Sequence, residues 1–155
     1  MSPMDSIATL STLLLHATTE RDTALAALQQ AEAAAQAARR QAEQLLGYRV
    51  EYRERWGSHF RGSGTVELLH CYQGFAGRLD QAIGQQDQAV VHAEARVERT
   101  RAVCLAREQR VAAVRKLIER RRAELERSAG RREQRQLDEA AARQGAARSA
   151  AFSSY

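Results

Sequence analysis

The side chains that could ligate a metal or hold a reactive group are few: Cys71 and Cys104, the histidines at 16, 59, 70 and 92, and one lysine, Lys116. A zinc site needs several such ligands at short, recurring spacings. None of these histidines forms a metal-spaced pair with a cysteine or a carboxylate. His70 and Cys71 are neighbours, but consecutive helical residues point about 100° apart and need not converge. No Gly-x-x-x-x-Gly-Lys-Ser/Thr loop is available for phosphates. The reading is a non-enzymatic chain with no metal and no cofactor, its histidines serving as polar residues of helix surfaces. Cys104 falls on an apolar stripe, where a free cysteine behaves as a small hydrophobe. Two isolated cysteines without a disulfide framework indicate a reducing, cytoplasmic compartment.

The elements that would carry these residues are helices. In 155 residues there is one proline, Pro3, and one tryptophan, while Ala, Arg, Glu, Gln and Leu dominate. That composition belongs to long helices and coiled coils. With heptad letters assigned from Ile83 as a, the a positions 83, 90, 97, 104, 111, 118 and 125 are Ile, Val, Val, Cys, Val, Ile and Leu. Their d positions, from Leu79 to Arg121, are more mixed. In the first half the a row from Ile7 to Trp56 and the d row from Leu10 to Tyr52 keep the same period, but with alanine at many places. A seven-residue repeat sustained this long is a coiled-coil signal. "IATLSTLLLHA" is apolar, yet far too short to span a membrane, and reads as the first turns of a helix.

Between the two halves "GSHFRGSG", residues 57–64, collects glycine and serine, which favour a turn over continued helix. Ser63 or Thr65 can cap the helix that follows. The expected fold is all-α: one antiparallel two-helix coiled-coil hairpin domain over 1–155, with helix one over about 4–56, a loop at 57–64, helix two over about 65–145 and a disordered tail at 146–155. A turn centred between 60 and 61 sets the pairing of the antiparallel helices. Val90 then faces Ala31, Val97 faces Ala24, Cys104 faces Ala17 and Val111 faces Leu10, each large residue against a small one, except in the last layer. The competing arrangement is a parallel homodimer burying the same stripe; the loop and the large-to-small match favour the hairpin. Arg21, Arg49, Arg107 and Arg121 interrupt the seam, with stems long enough to run along its edge. Helix two is the longer, so residues from about 120 onward overhang, and Gly130 can kink or fray that stretch.

The net charge of +5 is uneven. Residues 1–95 hold 8 Arg against 11 acidic residues; residues 96–155 hold 15 Arg and one Lys against 8 acidic. No aromatic platform or helix-turn-helix accompanies the basic half, and acidic residues are interleaved at 119, 124, 126 and 133. Two readings stand: a solvated, salt-laced face, or a surface for an acidic protein partner.

The aromatic residues concentrate near the turn. Gln41, Leu45, Tyr48, Tyr52 and Trp56 recur at spacings of three or four, as do Tyr72, Phe75, Leu79, Ala82 and Gln86. Such side chains either close the open end of the coil or form a binding surface. The glycines at 74, 77 and 84 would leave the second helix low enough for a partner to approach.

Taken together, "LLGYRVEYRERW", "YQGFAGRLDQAIGQQ" after a short loop, and "REQRQLDEAAAR" near the end resemble the flagellar export protein FliJ family of the type III export apparatus. The resemblance implies a coiled-coil coupling factor similar to the central stalk of rotary ATPases. It implies binding to the export gate protein FlhA through Gln41, Leu45, Tyr48, Tyr52, Phe75, Leu79, Ala82 and Gln86. It also implies binding to the export ATPase FliI through a terminal set: Arg132, Arg135, Gln136, Leu137, Asp138, Glu139 and Arg143. Export chaperones are further implied partners, nucleic acid is not, and any membrane association is peripheral and through partners, at the inner membrane. The chain departs from the family at Ala140, where an aromatic is frequent, at Gln86, where some relatives have histidine, and in its glycines 74 to 84. The alternatives are a self-associating coiled-coil scaffold, a basic nucleic-acid-binding protein, or the stalk protein of a virulence type III system.

Overall fold

A computed structural model describes residues 2–62 and 64–154. It is an all-α hairpin of two helices, α1 (Pro3–Gly62, 60 residues) and α2 (Val66–Ser153, 88 residues). The start of α1 is a reciprocal cap. The Asp5 N–H donates to Ser2 Oγ (3.2 Å), while the Asp5 carboxylate accepts from the Ser2 hydroxyl (2.8 Å) and the Ser2 N–H (3.2 Å). Pro3 takes the first helical position, where its missing N–H is no loss. At the start of α2, Thr65 Oγ1 accepts from the Leu68 N–H (3.3 Å) and the Thr65 carbonyl accepts from the Leu69 N–H (3.1 Å). Ser63, the other expected cap, lies outside the described residues, as does Tyr155 of the expected tail.

Internal contacts divide the chain into two compact units, Glu20–Arg107 and Met1–Thr19 with Glu108–Tyr155. Each pairs a stretch of α1 with a stretch of α2. In the first, α1 buries Ala24, Ala31 and Ala35 and α2 buries Ile83, Val97 and Cys104; in the second, α1 buries Ala17 and α2 buries Val111, Val114 and Ile118. Thus α1 contributes only alanine to the buried set and α2 only branched residues and one thiol, the large-against-small match that lets side chains interdigitate at interior density. All a and d positions from Ile7 to Trp56, and from Leu79 to Ile118, are buried or half-buried. The four arginines in these rows each reach a carboxylate: Arg21 to Asp22 (3.0 Å), Arg49 to Asp80 (3.5 Å), Arg107 to Glu20 (3.2 Å) and Arg121 to Glu124 (3.7 Å). Their stems pack along the seam while their charges are carried to its edge.

The boundaries differ from the sequence expectation at three places. First, α1 does not end at 56 but continues through Gly57 to Gly62, so of the expected loop at 57–64 only Gly64 is non-helical among the described residues, followed by Thr65. Each helical glycine costs about 1 kcal/mol against alanine. Continuing the helix, however, packs Phe60 against Trp56 (5.3 Å between ring centroids) and edge-on to Tyr72 (5.9 Å), and sets His59 edge-on to Trp56 (5.7 Å), contacts worth about 0.5–1.5 kcal/mol for each aromatic pair. Second, moving the turn slides the register by one heptad. Val97 packs with Ala31 and Ala35, and with Leu28 and Ala93 beside them, in place of Ala24. Ala24 is instead brought level with Cys104. A whole-heptad slide preserves every a-to-d match. It also delays the overhang: Pro3 and Leu125 line the same cleft, and only beyond Ser128 is every described residue exposed. Third, the expected disordered tail is helical to Ser153, and α2 passes Gly130 unbroken. Seven alanines between 140 and 151 make a strong helix former, and extending an existing helix needs no new nucleus. Ser153 and Ser154 hydroxyls close it by donating to the Ala150 carbonyl (3.2 and 3.0 Å).

Candidate functional site

In the Glu20–Arg107 unit, five aromatic rings from both helices meet near the turn. Tyr52 stacks on Tyr72 (5.5 Å between centroids, planes 15° apart), lies 4.4 Å from Phe75 and meets Trp56 edge-on at 5.8 Å; Trp56 and Phe60 complete the cluster against Tyr72. Tyr52, Trp56, Phe60 and Tyr72 are half-buried, so they close the end of the coil. Tyr48 (65 % exposed) and Phe75 (42 %) instead present apolar surface to solvent. The two readings of the aromatic residues therefore divide between different rings. Gly64 belongs to the closure: a Cβ there would stand 2.8 Å from Phe60 Cδ1, so the ring needs glycine beneath it.

Beside the cluster, Leu45, Tyr48, Tyr52, Phe75 and Leu79 line one groove of about 360 Å³, with Glu51 and Arg55 on its rim. All seven come from d, g and c positions, so the groove runs along the flank where the g rows of the two helices adjoin. Further along this flank the Gln86 amide donates to the Ala38 carbonyl (2.9 Å) and to Gln41 Oε1 (3.2 Å), and half-buried Ala82 lies between Gln86 and Leu79. The structure thus brings onto one flank all eight residues that the resemblance assigns to gate binding, five of them around one groove. Glu51 and Arg55 were missed by sequence reasoning; their spacing of three residues from Tyr48 and Tyr52 was the available signal. No residue of this chain approaches glycines 74, 77 and 84: a Cβ on any of them has no neighbour within 4 Å.

The opposite flank is different in kind. There Arg39 pairs with Glu94 (2.9 Å) and Arg101 with Glu32 (3.7 Å) and Glu98 (2.6 Å), and the ions satisfy each other across the helices.

In the other unit, Arg132, Arg135, Gln136, Leu137, Asp138, Glu139 and Arg143 are all exposed on α2. Arg132, Arg135, Gln136, Glu139 and Arg143 follow helical spacing on one face, while Leu137 and Asp138 lie to the side. Local bonds engage two of the carboxylates, Asp138 with the Gln134 amide (3.1 Å) and Glu139 with Arg143 (3.8 Å). No groove gathers this set; it is a helix face. Cys71 is exposed and Cys104 buried. Among the described residues no cluster of three metal-ligating side chains occurs and no helix is long and apolar enough to cross a membrane.

Fold and groove together define a helical-hairpin coiled coil with an open apolar groove beside its turn. The family model described as flagellar FliJ protein matches residues 6–150, and the chain belongs to the FliJ family, a non-catalytic component of the flagellar type III export apparatus. No curated protein and no solved structure matched the chain.

Proposed function

We propose that the chain is the stalk-like coupling component of flagellar type III export. The exposed face of α2 around Arg132, Arg135, Glu139 and Arg143 engages the export ATPase FliI. The Tyr48–Phe75 flank engages the export gate protein FlhA, so that ATP hydrolysis is linked to proton-driven export. Export chaperones dock on the same protein, which works in the cytoplasm and meets the inner membrane only through its partners.

The observation that carries this reading is the change in the a row of α2 after Leu125. Up to that residue the a row is apolar and faces α1, which ends alongside at Pro3. Beyond it the a row continues as Arg132 and Glu139, with Arg135 in the d row beside them, without α1 and exposed. A seam that turns charged where its intramolecular partner stops is suited to a different, polar partner.

The test is the triple reversal Arg132→Glu, Arg135→Glu, Arg143→Glu. Stimulation of FliI ATPase activity should be lost while affinity for the cytosolic part of FlhA is retained. Equal loss of both activities, or neither, refutes the division of labour.

A further inference from the structure

The flanks of the Glu20–Arg107 unit are built for different neighbours. Along the e positions, seven of twelve residues are charged, namely Glu32, Arg39, Arg53, Asp80, Asp87, Glu94 and Arg101, and cross-helix ion pairs join them. That is how a two-stranded coil normally edges its seam. Along the g positions the stretch between Ala27 and Tyr48 on α1, and between Phe75 and Ala89 on α2, has no ionisable side chain apart from the tyrosine phenol. Four of its residues are alanines, Ala27, Ala34, Ala82 and Ala89, and the groove at Tyr48 and Phe75 is its continuation. A coil with one ion-paired flank and one bare, low-relief flank has the surface of a three-helix bundle lacking its third member.

The c positions bordering that flank carry the charge information. On α2 they are Arg78, Gln85, His92 and Arg99, with Arg96 close by in the g row, and none is acidic. Among the described residues Arg78, Arg96 and Arg99 have no carboxylate partner. On α1 the border is Gln30, Ala37, Gln44 and Glu51, a single acid.

We infer that this flank receives one amphipathic helix of the partner, apolar toward the alanine rows and acidic on the edge that meets α2. The inference rests on the gate-binding reading above and deepens it: the gate segment lies lengthwise along the flank as a third helix, from the Tyr48–Phe75 groove to at least Ala34 and Ala89. Large apolar side chains of the occupant fill the groove, and small ones cross the alanines, where backbones approach closely.

Three variants of the full chain separate the possibilities, each checked for unchanged helicity and melting, with affinity for the cytosolic part of FlhA measured by calorimetry. Tyr48→Ala with Phe75→Ala reports on the gate reading itself. Ala34→Glu with Ala89→Glu, both exposed and outside the groove, reports on the lengthwise helix. Arg78→Glu with Arg99→Glu reports on the sign of the occupant's edge. All three pairs should weaken binding, each about tenfold or more, as interface truncations and like-charge contacts do, and added salt should weaken the wild-type complex. If the tyrosine and phenylalanine pair matters and the alanine pair does not, the partner grips only the groove: the third helix is refuted and the gate reading stands. Full affinity in the tyrosine and phenylalanine variant removes the gate reading, and this inference with it. Unchanged or tighter binding by the arginine pair refutes the acidic edge. Sedimentation of the chain alone should show a monomer; a dimer dispersed by the alanine pair would mean that a second copy is the occupant.

Discussion

Exchanging the large and small partners of one seam layer tests the register directly. Val97, 8 % exposed, packs with Ala31, 1 % exposed. Val97→Ala removes two methyl groups from that contact, about 0.8 kcal/mol each for transfer alone, and the cavity left beside an alanine raises the total to about 2 kcal/mol. Ala31→Val adds two methyls to a site with no free volume, an overpacking cost of about 1–3 kcal/mol. The double exchange restores the layer's volume with the branched residue on α1, so the two losses should not add: a coupling of about 1–2 kcal/mol is expected, within the range for residues in contact. Ala24→Val paired with Val97→Ala is the control. Ala24 sits one heptad, about 10 Å, along the helix from Ala31, and changes that far apart add within about 0.5 kcal/mol. Urea unfolding followed by circular dichroism, with the slope m compared across variants, supplies all the free energies. Coupling between 24 and 97, with additivity between 31 and 97, would refute a turn placed after Gly62 and restore a loop centred near 60.

Gly74, Gly77 and Gly84 are helical, without positive φ, and an added Cβ meets nothing within 4 Å, so alanine at each should raise stability by about 0.5–1 kcal/mol; no gain in the urea midpoint would show that the α2 surface is not open there. Gly64→Ala should do the reverse, because its Cβ falls 2.8 Å from the Phe60 ring, and a raised melting temperature would refute the closure described for the turn. The Ser2 hydroxyl, with its N–H, holds the Asp5 carboxyl below its ordinary value of 3.8. A depressed folded-state value stabilises above the unfolded one and is lost as pH falls through the folded one. Ser2→Ala should therefore melt below wild type near neutral pH, with the gap closing as pH drops below the ordinary aspartate range; a gap independent of pH would assign the effect to the neutral cap alone.

The heptad rows and the register differ in how far they could be read, for one physical reason. A period of seven defines which residues face the partner helix, and the pattern from Ile83 to Leu125 has no competing phase. Sliding one helix by a full period returns every a residue to a d residue, so Val97 against Ala24 and Val97 against Ala31 are equally good layers by size. Only the turn distinguishes them, and the turn was masked by glycines whose cost is local and visible, while the compensation at Trp56, Phe60 and Tyr72 is tertiary and not. The tail erred in the same direction: Ser and Gly near the end suggested fraying, but the alanines from 140 to 151 extend a helix already nucleated. The eight residues proposed for gate binding came from resemblance, and their common flank was implicit in the heptad letters, since all are d or g. What spacing alone could not supply is the contrast between flanks. Arg39 and Glu94 identify the e side as closed only once they are seen 2.9 Å apart, and it is that closure which makes the bare g side a place for another helix.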